Sequence, residues 1–326
     1  MTTTTPYQDM ESLYSHIRDN PKDNKAWLVL ADYLTDKNDP RGELLTLDCQ
    51  LEDPSLVNGD KDVIKRRRDE LYEKIGSAFK EEFPGIAVPE TQYKGYFPQE
   101  IIMQRGLDDL ADFNRSSYAP FVQGITLNED NYKEVISSPE ITGYRHITVG
   151  VFKLDRILDI SVFAESSHLA QLTKLQLYGS DVQDITPLQH LTQLTKLQLY
   201  GSDVQDITPL QHLTQLQTLD LHKTGVRDIT QLQHLTQLQE LHLTLTGVQD
   251  ITPLQHLTQL QTLHLGETGV QDITPLQHLT QLTTLYLHNT GVQDITPLQH
   301  LTQLQELYLT LTGVQDITPL QHLTQL

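Results

Sequence analysis

The sequence predicts an α/β fold, in which a small all-α domain precedes a solenoid built on a parallel β-sheet. Two observations support this prediction. A strict 22-residue repeat starts at Leu172 and fills the second half of the chain, and periods of about 20 to 50 residues are typical of solenoids. Ahead of it, residues 9–79 carry apolar side chains three and four positions apart, which is the spacing of amphipathic helices.

Residues 1–84 are predicted to form the helical domain. MESLYSHI indicates a first helix that ends at Asn20-Pro21, because proline and the residue before it disfavour helical continuation. AWLVLADYL indicates a second helix, whose apolar side chains make one stripe: Trp27, Leu30, Ala31 and Leu34.

Two more helices are predicted behind turn signals. Asp39-Pro40-Arg41-Gly42 is interpreted as a turn into the third helix, ELLTLDCQL. Asp53-Pro54 and Asn58-Gly59 are interpreted as chain breaks before the fourth, KDVIKRRRDELYEKIGSAF. The basic run Lys65–Arg68 in the fourth helix has four acidic neighbours. We therefore expect a solvated helix face there and not a nucleic-acid site.

The stretch AWLVLADYLTDKNDPRGELLTLDCQL resembles the signature of the bacterial repeat-companion domain, a short helical module found ahead of leucine-rich repeats. The resemblance covers about residues 8–80 and implies this architecture without implying an activity. The matching residues are Leu28, Ala31, Asp32, Tyr33, Leu34, Asp39, Pro40, Arg41, Gly42 and Glu43.

Residues 85–171 are predicted to be degenerate repeats that form the N-terminal cap of the solenoid, since a bare terminal repeat would expose apolar surface. Glu100–Met103 is interpreted as a degraded strand. Two further strand patterns lie 25 residues apart when counted from Val122 to Ile147. Their apolar members are Val122, Ile125 and Leu127 in one, and Ile147, Phe152 and Ile157 in the other.

Residues 172–326 contain seven copies of L-x-x-L-x-L-x-x-[ST]-x-V-x-D-I-T-P-L-x-H-L-T-Q. This pattern resembles the leucine-rich repeats of the internalin type. The resemblance implies a leucine-rich-repeat solenoid with a parallel β-sheet on its concave face and short helical or 3-10 turns on its convex face. The copies begin at Leu172, Leu194, Leu216, Leu238, Leu260, Leu282 and Leu304.

Each constant residue of the repeat has an expected structural role. Leucines at positions 4 and 6 alternate as inward residues of a strand do. The Ser or Thr at position 9 (Ser180 in the first copy) is expected to bond backbone groups through its hydroxyl. Thr at position 15 is expected to cap the helical turn and Pro at position 16 to start it. Asp at position 13 is expected to satisfy loop amides.

Variation between the copies predicts a recognition surface. In positions 12 to 22 only Arg227 and Gln231 depart from the common residue, although this half also has exposed positions. The other changes fall at positions 2, 3, 5, 7, 8, 9 and 10, of which 3, 5 and 7 point outward from the strands. We expect the partner-binding residues on the concave face to be Lys174, Gln176, Tyr178, Lys196, Gln198, Tyr200, Asp220, His222, Glu240, His242, Leu245, His264, Glu267, Tyr286, His288, Glu306, Tyr308 and Leu311.

Composition restricts the partner and the compartment. The formal charge of −20 disfavours nucleic acid, whose backbone is anionic. No run approaches the roughly 18 apolar residues of a membrane span, and the first residues lack the features of a secretory signal. The single cysteine, Cys49, leaves no intrachain disulfide. We expect a cytoplasmic protein without membrane attachment.

The predicted function is non-enzymatic binding of a protein or peptide. The sequence has no glycine-rich phosphate loop and no nucleophile elbow, and Cys49 is not in a catalytic arrangement with histidine. No cofactor is expected. If the variable histidines are contact residues, binding should weaken near pH 6, at which histidine titrates.

Two alternatives remain. A metal- or small-molecule-sensing module would use Asp220, His222, His242 and His264, which lie on neighbouring strands. A self-assembling structural protein would stack end to end through the repeat that stops at Leu326. The seven histidines at position 19, from His190 to His322, are interpreted as a copied column and not as a metal array.

Overall fold

The computed structural model describes residues 7, 9–20, 22–88, 93–94, 97–98, 100–104, 107–116, 118–150, 158–178 and 182–326. The chain divides into two compact units, Met1–Thr126 and Leu127–Leu326. This division falls inside the segment that the sequence assigns to degenerate repeats. The three predicted segment boundaries stay predictions.

The first unit begins with the four helices that the sequence predicts. Asp9, Asp23 and Asp39 each cap a helix by accepting a backbone N–H bond from its first turn. The first two helices contribute Leu13, Ile17 and Trp27 to the buried core. The helices are α1 (Met10–Asp19), α2 (Asn24–Asp36), α3 (Pro40–Leu51) and α4 (Asn58–Glu82).

Asp53-Pro54 lies between α3 and α4 as predicted, whereas the other two turn signals lie at the starts of helices. Asp39 caps α3 and Pro40 is its first residue, so Arg41 and Gly42 belong to its first turn, where proline is well suited. Asn58 and Gly59 begin α4 and do not break the chain. Arg67 of the basic run pairs with Glu43 and Arg68 with Asp69. Most of that run is exposed, which confirms a solvated helix face.

Short strands and one further helix complete the first unit. β4 pairs antiparallel with β1 and parallel with β5, while β2 and β3 form a separate hairpin. A 3-10 turn occupies Ala119–Phe121. The remaining elements are β1 (Ile86–Ala87), β2 (Tyr93–Lys94), β3 (Phe97–Pro98), β4 (Glu100–Met103), α5 (Leu107–Asn114) and β5 (Gly124–Asn128), which spans the division between the units.

The strands predicted in the middle of the chain are present. β4 coincides with the predicted Glu100–Met103. Val122 precedes β5, so the 25-residue spacing counted from it was wrong. Ile125 and Ile147 are each the second residue of a strand, and they are 22 residues apart in the sequence. Phe152 and Ile157 lie outside the described residues.

The second unit is dominated by parallel strands that pair in chain order. From β7 to β13 each residue pairs with the residue 22 positions later, so equivalent repeat positions form columns across the sheet. The elements are α6 (Tyr132–Ser137), β6 (His146–Gly150), α7 (Ser161–Glu165), β7 (Lys174–Tyr178), β8 (Lys196–Gln198), β9 (Thr218–Asp220), β10 (Glu240–His242), β11 (Thr262–His264), β12 (Thr284–Tyr286) and β13 (Glu306–Tyr308).

One 3-10 turn follows each of the strands β7 to β13. Its cap differs from the prediction, because position 15 is the first residue of the turn and position 14 precedes it. The Asp at position 13 makes the cap: Asp250 Oδ1 accepts the Thr252 N–H at 2.8 Å. The turns are Thr186–Leu188, Thr208–His212, Thr230–His234, Thr252–His256, Thr274–Leu276, Thr296–His300 and Thr318–Leu320, and two others lie at Pro139–Ile141 and Ser167–Leu169.

The core of the repeats is a continuous stack of aliphatic side chains at the positions that never vary, such as Leu241 and Leu243. The position-9 threonines bond as predicted: the Thr246 hydroxyl donates to the Leu243 carbonyl at 2.6 Å. Ser202 is the exception, since its buried hydroxyl has no hydrogen-bond partner among the described residues. Ser180 lies outside the described residues.

In the part of the chain that the structure describes, no helix combines the length and apolar character that a bilayer crossing needs.

Candidate functional site

The candidate site is the outward side of strands β7 to β13. Residues at positions 4 and 6 are buried from β7 to β12 and half-buried at β13, whereas the residues at positions 3, 5 and 7 are half-buried or exposed, except Gly266. The residue at position 8 follows them. We call these four positions the variable sheet face. All eighteen residues predicted from the sequence lie on it.

Four rings stack in register at position 5 of successive strands. The centroids of His242 and His264 are 4.1 Å apart, those of His264 and Tyr286 4.2 Å, and those of Tyr286 and Tyr308 4.1 Å. Their interplanar angles are 23°, 30° and 10°. The strand spacing of about 4.8 Å brings equivalent side chains within stacking distance. The result is a continuous ring column whose edges point away from the sheet.

The same column is polar in the earlier repeats. Gln176 and Gln198 are hydrogen-bonded through their amides, and the Thr148 hydroxyl donates to Gln176 Oε1 at 2.9 Å. Gln198 Nε2 donates to Asp220 Oδ2 at 3.4 Å. Asp220 Oδ1 accepts the backbone N–H of His222 at 2.9 Å. These bonds order the polar part of the column as stacking orders the rings.

Position 7 supplies a second column beside the first. The Tyr178 hydroxyl donates to Gln198 Oε1 at 3.2 Å, and Tyr200 meets His222 edge to face at 5.0 Å between centroids. Gly266 has a distinct role, because a Cβ there would collide with the ring of His288. Glycine at this position therefore leaves space for His288 to lie over the neighbouring repeat.

Position 8 has a left-handed backbone in every repeat that the structure describes there. The φ angle is +70° at Gly201 and between +53° and +59° at the five later copies. Leu245 is 42% exposed in this conformation, which residues other than glycine and asparagine rarely adopt. The later copies are Lys223, Leu245, Glu267, Asn289 and Leu311.

Lys223 and Asn289 of this face are not among the residues predicted from the sequence. Both are exposed at position 8, beside the predicted Leu245 and Glu267. The signal that finds them is the variability of this position, since it holds five different residue types in seven copies. Its left-handed conformation is not visible in the sequence, because only two of the copies have glycine there.

Two groups in the ring column have strongly shifted pKa values. Burial lowers the pKa of His264 to about 4, assisted by the charge of His242 and opposed by Asp220. The ring of His264 is thus neutral at pH 6, and the expected loss of binding near pH 6 does not apply to it. A hydrogen bond with Tyr308, burial and the nearby Glu306 raise the pKa of Tyr286 to about 12.

The four residues of the metal alternative do not form a ligand set. Among the described residues, no three histidine, cysteine or carboxylate side chains are placed to share a metal ion. His242 and His264 stack face to face, while the lone pairs that bind metals lie in the ring planes. Asp220 is engaged by Gln198 and by the His222 backbone. The exposed position-19 histidines give no such set either.

The motif that carries the companion-domain resemblance has structural roles in the first unit. Arg41 Nε donates to both carboxylate oxygens of Asp39 at 3.0 Å. Its guanidinium also lies 4.3 Å from the ring centroid of Tyr118. A Cβ at Gly42 would collide with the Ala31 carbonyl at 2.7 Å, so glycine permits the close approach of α2 and α3. These contacts stabilise the packing of the helices.

Comparisons with known proteins agree with this architecture. A sequence model of leucine-rich repeats in two copies matches residues 258–300 and 280–325. The crystal structure of internalin C2 from Listeria monocytogenes is 33% identical over 57% of this chain and 80% of that one, with a TM-score of 0.53. A second internalin of that organism, inlF, is 24% identical over 64% and 67% of the chains, with a TM-score of 0.52.

Comparison with curated protein sequences gives no significant match. The inlF likeness is evidence for the fold alone, whereas the internalin C2 likeness combines sequence identity with coverage of most of that chain. The repeat sequence, the parallel sheet with one 3-10 turn per repeat and this similarity agree with one another. The chain belongs to the leucine-rich-repeat proteins of the bacterial internalin type.

Proposed function

We propose that the protein is a non-enzymatic recognition protein that binds a protein or peptide partner on its variable sheet face. Leucine-rich-repeat proteins are generally protein-binding modules, and the internalin-like family is typically non-enzymatic. The observation that carries the proposal is the ring column, which is partly exposed on strands that repeat every 22 residues. It consists of His242, His264, Tyr286 and Tyr308.

The physical argument is preorganisation. The rings are held by stacking and by the strands beneath them, so little side-chain entropy remains to be lost on binding. Tyrosine is frequent at the centres of protein interfaces. Seven strands at about 4.8 Å give a face on the order of 30 Å long, which suits an ordinary protein interface.

The two leucines with left-handed backbone at position 8 give additional support. Leu245 and Leu311 are exposed on backbone that favours glycine, and Gly201 shows that glycine is accepted at this position. Strained backbone that persists in a structure is characteristic of functional surfaces. Leucine side chains at these positions add apolar contact area next to the rings.

The test is a pull-down from the lysate of the native cell, with captured proteins identified by mass spectrometry. One bait is the unchanged protein, and the second carries Tyr200, His242, His264 and Tyr286 changed to Ala. The matched control changes four exposed histidines on the constant half of the repeat to Ala: His234, His256, His278 and His300. Circular dichroism verifies that all three baits are folded.

We expect the unchanged protein and the control to capture a partner protein that the ring variant does not capture. Equal retention by the ring variant would contradict the proposal and would place recognition elsewhere on the chain.

We also propose a cytoplasmic location, because a single buried cysteine suits a reducing compartment. Fractionation of the native cells tests this, and recovery of the protein outside the cytoplasm would contradict it.

A further inference from the structure

Apart from Asp220, the charged side chains of the variable sheet face are segregated along it by sign. The lysines occupy the first three repeats, at position 3 of β7 and β8 and at position 8 after β9: Lys174, Lys196 and Lys223. The glutamates occupy the last four repeats, at position 3 of β10 and β13 and at position 8 after β11: Glu240, Glu306 and Glu267. All three glutamates are exposed, and none forms an ion pair among the described residues.

The glutamates flank the ring column. Glu240 and His242 share strand β10, and Glu306 and Tyr308 share strand β13. Glu306 is also close enough to Tyr286 to raise the pKa of its hydroxyl. The carboxylates and the edges of the rings are therefore presented together on one side of the sheet, with neutral threonines at position 3 of β11 and β12.

Charge complementarity selects the class of partner. The repeats from Leu172 onward have thirteen carboxylates against four lysines and arginines. Nucleic acids and anionic membranes carry charge of the same sign and are repelled. A basic polypeptide is attracted, and guanidinium groups in particular bond carboxylates and pack against aromatic rings.

We propose that the half of the variable sheet face from Glu240 to Glu306 binds a basic segment of a partner protein. The arginine or lysine side chains of this segment lie between the glutamates and the edges of the ring column. The lysines of the first repeats disfavour a basic segment there, so the charge pattern restricts the segment to the later repeats. This inference rests on the proposed function and adds the charge of the partner.

The probe is a fluorescein-labelled twelve-residue peptide of alternating Arg and Thr, titrated with the full chain at low ionic strength and followed by fluorescence anisotropy. One variant carries Glu240→Gln and Glu306→Gln. Its matched control carries Asp250→Asn and Asp316→Asn, which removes two charges from the same two repeats at position 13. Asn retains the oxygen that caps the 3-10 turn, so the control should fold.

We expect the Glu variant to bind the peptide about five- to tenfold more weakly, because it loses two exposed charge pairs with the peptide. The Asp control should change by less than about twofold. A peptide with Glu in place of Arg should not bind. Equal weakening by both variants would overturn the inference, since the effect would then reflect net charge alone.

Absence of any binding of the Arg peptide to the unchanged protein would also overturn the inference. The proposed function is decided separately by the pull-down, which requires no assumption about charge. If only the ring variant lost the partner and the Arg peptide did not bind, the proposed function would stand. The inference of a basic segment would then be wrong.

Discussion

At the scale of single residues, the left-handed backbone at position 8 lowers stability, and the side chains there are exposed. Lys223, Leu245 and Glu267 have φ angles of +55° to +57°, a conformation that costs a residue other than glycine or asparagine about 1 kcal/mol. Asn289 occupies the same position two repeats after Leu245. The chain itself therefore contains the residue that relieves the strain.

Glu267→Asn is expected to raise the free energy of unfolding by about 0.5–1 kcal/mol, because asparagine tolerates the left-handed conformation. Glu267 is exposed, so the change removes little packing. Urea denaturation followed by circular dichroism measures the effect. Glu240→Asn is the control, since Glu240 lies in ordinary strand backbone, and it should not stabilise the protein. Stabilisation by both changes would refute the argument from strain.

His264 makes stability depend on pH. Its pKa is about 4 in the folded protein, against 6.5 for an unperturbed histidine. Between these values the unfolded chain binds a proton that the folded chain does not, so this contribution to stability is lost as pH falls from 6.5 to 4. The groups that influence it are His242, Asp220, His288 and His222.

His264→Tyr is expected to reduce the loss of stability between about pH 7 and pH 5, because tyrosine continues the ring column without binding a proton in this range. Urea midpoints at the two pH values, measured for the variant and the unchanged protein, give the difference. The control is His256→Tyr, at an exposed position outside the column, which should leave the loss unchanged. An undiminished loss in the His264 variant would be inconsistent with this pKa.

At the scale of elements, the 3-10 turns depend on the Asp at position 13. In all seven repeats its carboxylate accepts the N–H of the Thr at position 15, at 2.8–2.9 Å. The turn at Thr230–His234 forms with Gln231 in place of proline. There the Thr230 hydroxyl also bonds Asp228 at 2.6 Å. The aspartate and not the proline is thus the constant determinant of the turn.

Asp250→Ala is expected to lower the free energy of unfolding by about 1 kcal/mol, as the loss of a helix cap does. Asp250→Asn keeps the accepting oxygen and should cost less. Thermal unfolding followed by circular dichroism distinguishes the two. Equal destabilisation would show that the negative charge, and not the hydrogen bond, is what the turn requires.

At the scale of the whole molecule, the repeats of the second unit form a one-dimensional array. Each strand from β8 to β12 pairs with its two neighbours at a register of 22 residues. Stability in such arrays is approximately a sum over repeats and their interfaces. The number of repeats can therefore change without loss of the fold.

Deletion of residues 238–259, one complete copy, is expected to leave a folded protein with a lower unfolding temperature, because Gln237 then joins Leu260 in the normal register. Deletion of residues 238–248 is the matched control. It removes half a copy and places polar residues at core positions, so it should abolish cooperative unfolding. Circular dichroism and size-exclusion chromatography test both. Similar unfolding of the two deletions would contradict the array description.

The helices, the strand columns and the core follow from the sequence alone. Local periodicity encodes them, since the 22-residue spacing fixes the register and alternation fixes the inward face. The stripe of Trp27 and Leu30 predicted α2, and the changes between copies identified most of the residues of the variable sheet face. Each of these features depends on residues that are close in the sequence or at the equivalent position of the next copy.

Only the tertiary structure decided how the side chains on that face interact. Stacking of His242 on His264 replaced a convergent metal set, and burial in the column lowered the pKa of His264. The left-handed backbone at Leu245 and the cap made by Asp250 in place of Thr252 likewise appear only in the folded chain. These outcomes depend on ring orientation, solvent exclusion and loop geometry between strands, which a one-dimensional pattern does not contain.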